Sequence, residues 1–78
     1  AVECKSTRKT TQYITKKQME DFLIFSEIMG LSPIIAIKFF REGWLFVNPS
    51  YMKDSGKNLS IKLEYAKNIG KRFGQLIE

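Results

Sequence analysis

The stretch Pro33-Ile34-Ile35-Ala36-Ile37-Lys38-Phe39-Phe40 constrains this chain more than any other. β-Branched and aromatic side chains lose rotamer freedom in a helix but pack well on a pleated surface, and the run is too short for a stable helix. Pro33 is tolerated because the first residue of a strand need not donate to the ladder. Near-continuous apolarity, in place of alternation, is the mark of a strand covered on both faces. Ile34 to Phe39 therefore reads as a buried central strand, and the rest of the chain must cover it.

The flanking segments supply that cover. Ala1 to Lys5 reads as a strand. Ser6 to Gln12, rich in Ser and Thr with two cations, reads as a mobile loop that ends in a short extended piece at Tyr13-Ile14. Thr15 is a good helix N-cap, and Gln18 three residues later completes a capping box in which each side chain satisfies an orphaned backbone N–H. Met19, Phe22, Leu23, Ser26 and Met29 or Gly30 recur at helical spacing, Phe25 and Ile28 widen the apolar stripe, and Gly30 is placed to end the helix. Glu20, Asp21 and Glu27 are expected to face solvent. A strand, helix, strand order implies a right-handed parallel crossover between Ala1 to Lys5 and Ile34 to Phe39.

Beyond the central strand, Arg41-Glu42-Gly43 predicts a tight turn and Trp44 to Val47 an antiparallel return strand, stopped by Asn48-Pro49-Ser50. Tyr51 to Asn58 reads as a flexible polar loop and Ser60 to Leu63 as a short edge piece. Leu63 to Ile69 reads as a short helix closed by Gly70, and Phe73 to Ile77 as a final helical turn docking Phe73, Leu76 and Ile77. No internal repeat or low-complexity tract interrupts this α/β order.

A length of 78 residues allows one domain with a small core. The lone Cys4 excludes an internal disulfide, and the absence of His removes imidazole from zinc binding, triads and general-base work. A reduced, intracellular setting suits this composition. The longest mostly apolar stretch, Leu31 to Phe40, is far short of the ~20 residues of a membrane span, and no signal peptide is visible.

The net charge of +5 is unevenly placed. Lys5, Arg8, Lys9, Lys16 and Lys17 face only Glu3 in the first 17 residues, and residues 53–72 carry six Lys and Arg against Asp54 and Glu64. Between them the chain is slightly acidic. Two basic segments around a near-neutral body suit a polyanion, with nucleic acid the leading partner class; the same lysines also serve plain solubility.

Glu3 and Lys5 lie two apart, so in a strand they project from one face. A carboxylate offers a hard cation an oxygen ligand, and a neighbouring ammonium neutralises charge developing on a phosphate. The alternative is a solvated ion pair.

Val2-Glu3-Cys4-Lys5-Ser6, a basic Thr-rich loop, Tyr13-Ile14, and Lys16-Lys17-Gln18-Met19 opening a helix, followed by a strand from Pro33, resemble the second half of an archaeal Holliday-junction resolvase. Ile61-Lys62-Leu63-Glu64-Tyr65-Ala66-Lys67, then Gly70 and Gln75-Leu76-Ile77, resemble the closing segment of those enzymes. The resemblance spans nearly the whole chain and places it in the PD-(D/E)xK nuclease superfamily. It implies a restriction-endonuclease-like mixed sheet, here partial, with a strand-helix-strand crossover, a hairpin and short C-terminal helices. It further implies a single nuclease-like domain over 1–78, and Mg²⁺-dependent hydrolysis of phosphodiesters in four-way DNA junctions, with Mn²⁺ as a substitute. A homodimer matched to the two-fold symmetry of a junction and a cytoplasmic, nucleoid-associated setting follow from the same resemblance. Glu3 would be the metal-binding carboxylate and Lys5 the catalytic lysine. Gln18, at the helix start, falls where related nucleases place a polar residue, besides its capping role. Lys5, Arg8, Lys9, Lys16 and Lys17 would contact DNA.

The chain departs from the family pattern in one respect. Those nucleases place an Asp on the strand before Glu-x-Lys, and the resolvases a further Glu on an N-terminal helix, and neither is present. The expectation is a C-terminal piece of a longer domain, or a short relative that binds DNA without cutting it. Ala1 to Lys5 would then be an exposed sheet edge that promotes association. Trp44, Phe46 or Tyr51 is expected to add apolar surface to the core or to a dimer contact.

Overall fold

A computed structural model describes residues 1–72. In chain order these form β1 (Val2–Thr7), β2 (Thr11–Thr15), α1 (Lys16–Ile28), β3 (Ile34–Phe39), β4 (Gly43–Val47), a single 3₁₀ turn (Pro49–Tyr51), β5 (Lys53–Ser55), β6 (Asn58–Lys62) and α2 (Leu63–Ile69). The expected helical turn at Phe73 to Ile77 lies outside the described residues.

β3 is the central strand of a three-stranded sheet in the order β1-β3-β4, as its apolarity requires. It runs parallel to β1, pairing Glu3 with Ile35 and Lys5 with Ile37, and antiparallel to β4, pairing Ile37 with Leu45. Ile35, Ala36, Ile37 and Phe39 are buried, and only Lys38 faces out. Ile14, Met19, Leu45, Val47, Ile61 and Ala66 pack with them as one core, closed by Phe22, Leu59, Leu63 and Ile69.

Two short polar segments depart from the expectation of loops. Thr11–Thr15 is a full strand that buries Gln12 and Ile14, and Lys53–Ser55 forms a hairpin with Asn58–Lys62 around Gly56, whose φ of +81° suits the turn. These three strands make a second sheet in the order β2-β6-β5. β6, expected at an edge, is therefore central in it. The reason is turn chemistry: the Asp54 carboxylate accepts the Gly56 N–H at 3.0 Å, closing the chain reversal locally without an apolar signal.

α1 begins and ends as its sequence dictates. Thr15 Oγ1 accepts the Gln18 N–H at 3.1 Å, and the Gln18 side chain accepts the Thr15 N–H at 3.4 Å. At the other end Gly30 takes φ +68°, with the Gly30 N–H on Glu27 O and the Leu31 N–H on Ser26 O, the paired bonds of a Schellman motif. The helix buries only Met19 and Ser26 fully. Phe25, Ile28 and Met29, expected within the buried stripe or at its margin, are more than half exposed, because α1 covers the sheets along a narrow line. Trp44 and Tyr51 are likewise largely outside the core, at 40% and 47% exposure.

Candidate functional site

The alternation of β1 sends Glu3, Lys5 and Thr7 to one face and Val2, Cys4 and Ser6 to the other. On the first face Lys5 Nζ lies 3.9 Å from the Glu3 carboxylate and donates to Gln18 Oε1 at 3.4 Å. Gln18 reaches it from the first turn of α1, so one amide oxygen serves both the helix cap and the lysine. The Lys5 ammonium is thus held between a carboxylate and an amide and is mostly shielded from water, with its side chain 22% exposed. A cleft of about 470 Å³ opens beside this group, lined among others by Glu3, Gln18, Asp21, Phe22, Phe25 and Leu31.

Asp21 faces solvent as expected, with its side chain 59% exposed. It also lines the open cleft beside Glu3, because it stands three residues after Gln18 and shares its helix face. Its carboxylate is engaged by Lys17 at 3.0 Å, and this hydrogen bond, with the attraction of Asp21 and then Glu20, raises the Lys17 pKa above its ordinary value. Lys16 pairs with Asp54 at 2.9 Å, fastening the start of α1 to the β5–β6 hairpin. The Lys16 hydrogen bond, then the Gly56 N–H, holds the Asp54 carboxyl below the usual carboxylate range. Both pairs are exposed and contribute little stability.

Arg8 joins a second cationic group that the sequence reading missed. Its guanidinium sits 5.7 Å from the Phe40 ring centroid, and that of Arg41 sits 5.1 Å from it. Lys38, paired in register with Ser6, lines the same recess of about 260 Å³ as Arg8 and Arg41. Arg41 holds φ +66°, the only left-handed non-glycine among the described residues. Lys9 is exposed nearby in the chain, its N–H on Thr7 Oγ1. The signal was present as Lys38 interrupting the apolar run and Arg41 directly after Phe39-Phe40, a basic segment interleaved with aromatics. Among the described residues, no three carboxylate or thiolate groups come together as a metal cluster.

A parallel β1–β3 pair with an antiparallel β4, carrying Glu-x-Lys against a helix start, defines the restriction-endonuclease-like class of α/β fold. The comparisons agree. Residues 1–77 match the family model described as archaeal Holliday junction resolvase (Hjc). The crossover junction endodeoxyribonuclease Hjc of Methanocaldococcus jannaschii is 44% identical over 75 residues, which are 96% of this chain and 55% of that protein. The solved structure of Archaeoglobus fulgidus Hjc, a Holliday junction resolvase from a hyperthermophile, superposes with a TM-score of 0.86 at 22% identity, covering 97% of this chain and 62% of that one; at that identity it bears on the fold alone. The chain belongs to the archaeal Holliday junction resolvase family. It spans just over half the length of its M. jannaschii relative.

Proposed function

We propose that this chain is the nuclease-like domain, or the C-terminal part of a longer one, of an enzyme that resolves four-way DNA junctions by phosphodiester hydrolysis inside the cell. The observation that carries the proposal is Lys5 held between Glu3 and Gln18, both of which line an open cleft. A fixed ammonium with little water around it is worth more to a phosphate gathering negative charge than one waving in solvent. Glu3 and Gln18 orient it, and the Arg8, Lys38 and Arg41 recess offers cations for the flanking phosphates. Lys9, Lys16 and Lys17 extend the basic surface, the last two after exchange of their carboxylate partners for phosphate.

The family's nuclease chemistry implies a divalent metal, Mg²⁺ with Mn²⁺ as a substitute. A divalent ion takes several oxygen ligands, of which one or two are commonly protein carboxylates. Glu3 fits one such position, and Asp21 stands in the same cleft but is tied to Lys17. The described residues do not by themselves make a complete metal site. A homodimer with two-fold symmetry suits a two-fold junction, and the exposed apolar residues of α1 offer surface for it.

The same incomplete donor set favours a second reading, a DNA-binding module that does not cut. Incubation with a labelled four-way junction and a matched duplex, with Mg²⁺ and with chelator, separates them. Paired metal-dependent nicks lost in Glu3→Gln and reduced about a hundredfold or more in Lys5→Ala are the expected result. Junction binding with no cleavage supports the module, and no selective binding defeats both. No described helix is long and apolar enough to cross a membrane.

A further inference from the structure

The outer face of the second sheet has a chemistry the Glu3 cleft does not share. In antiparallel pairs, directly opposed side chains lie on the same side, and the register sets Tyr13 and Lys53 on either side of Ser60, with Lys62 two residues along the same strand. Gln12, Ile14 and Ile61 point to the core, so this face is the outward one. Tyr51 and Tyr65 close its rim, their rings edge to face at 6.3 Å and 68°. Tyr51, Lys53, Ser60, Lys62 and Tyr65 line a recess of about 400 Å³, within the ~300–1,000 Å³ of ordinary ligand clefts. No lining residue is acidic, and none of them lines the Glu3 cleft.

Each of these tyrosines is about half exposed, Tyr13 53%, Tyr51 47% and Tyr65 45%. Neither Lys53 nor Lys62 is engaged in an ion pair among the described residues. Flat aromatic faces beside free ammonium groups match one ligand class well. The rings take the faces of unstacked bases and the lysines take the connecting phosphates, while the Ser60 hydroxyl between them is already paired with Ser55 Oγ at 2.6 Å. A closed duplex presents its phosphates but hides the base faces, and so leaves the rings without partners.

We propose that Tyr13, Tyr51 and Tyr65, with Lys53 and Lys62, form a binding surface for unpaired nucleotides of DNA, separate from the site of phosphodiester chemistry. The inference rests on the reading of this protein as one that acts on DNA, and supplies a way to engage strands that are unpaired at a branch.

The test uses a fluorescein-labelled oligothymidylate about ten nucleotides long alongside a fully paired four-way junction. Wild type is expected to bind both. Tyr51→Ala with Tyr65→Ala should weaken oligothymidylate binding about tenfold or more, while Tyr51→Phe with Tyr65→Phe retains it, since stacking needs the ring and not the hydroxyl. Lys53→Gln with Lys62→Gln should lower its salt dependence, and junction binding should be unchanged in all three. Loss in the Phe variants, retention in the Ala variants, or displacement by poly-glutamate as effective as by unlabelled oligothymidylate overturns the surface. A wild type that binds the junction but not the oligothymidylate overturns this surface and leaves the proposed function standing. Failure to bind either overturns both.

Discussion

Arg41 holds a left-handed backbone at φ +66° while its guanidinium lies over Phe40 beside Arg8. That conformation costs an L-residue roughly 1–2 kcal/mol, and a glycine would avoid it. A side chain kept at that cost suggests a role beyond its turn, which a paired measurement tests. Arg41→Gly is therefore expected to raise stability by about 1 kcal/mol in thermal unfolding while lowering the salt slope of junction binding by about 1. Opposite signs in the two measurements separate a DNA contact from a turn requirement. Asp54 permits a pH prediction. Its folded pKa lies below the ordinary 3.8, so its contribution is present above that value and is lost as pH falls through the lower, folded value. Melting temperatures followed from about pH 6 down to about pH 3 should fall a little less in Asp54→Asn than in wild type, a small effect because the carboxylate is exposed.

Among the elements, α2 is positioned by a close approach at its end. A Cβ added to Gly70 would meet Ala66 O at 2.5 Å and Val47 Cγ1 at 3.0 Å, and the Gly70 N–H bonds the same carbonyl at 2.7 Å. Backbone cannot yield as a flexible side chain does, so Gly70→Ala should cost about 1–3 kcal/mol, seen as a melting point lower by roughly 4–8 °C per kcal/mol. Unchanged melting would mean that α2 moves aside freely. The elements legible in the sequence were those with a strong local signal: the apolar β3, the capping box and terminal glycine of α1, and α2 with the bounds it was given. β2 was legible only at Tyr13-Ile14, because its buried alternation places Gln12 where an apolar residue would have announced the rest of the strand. The β5–β6 hairpin was hidden because Lys53-Asp54-Ser55-Gly56 carries turn residues and no apolar face. Of the candidate site, spacing put Glu3 and Lys5 on one face and the family resemblance added Gln18, and the structure brings all three side chains together. Asp21 was read correctly as exposed, but its place beside the Glu3 cleft depends on its three-residue distance from Gln18 and on how α1 packs, which its charge alone does not report. Lys38 and Arg41 left a local signal, but their recess also takes in Arg8, thirty positions before Lys38, which no local pattern reports.

As a whole the described chain is a slab, 35 × 34 × 17 Å. A thickness of 17 Å leaves room for about one buried layer, since packed sheets stand ~10 Å apart. That explains why Leu23, Ile24, Phe25, Ile28, Met29 and Leu31 stay exposed on and just after α1. Apolar surface grouped in this way marks an interaction site. Sedimentation at micromolar concentration should give a mass above the monomer, and Phe25→Glu with Ile28→Glu should return it to the monomer; a monomeric wild type would argue against the homodimer. Among the described residues β1 has a neighbour on one side only, β3, within its sheet. A strand joining the other side would lie ~4.8 Å away and set its side chains level with Glu3 and Lys5. Protection of the backbone and gathering of the reactive charges would then happen in the same step.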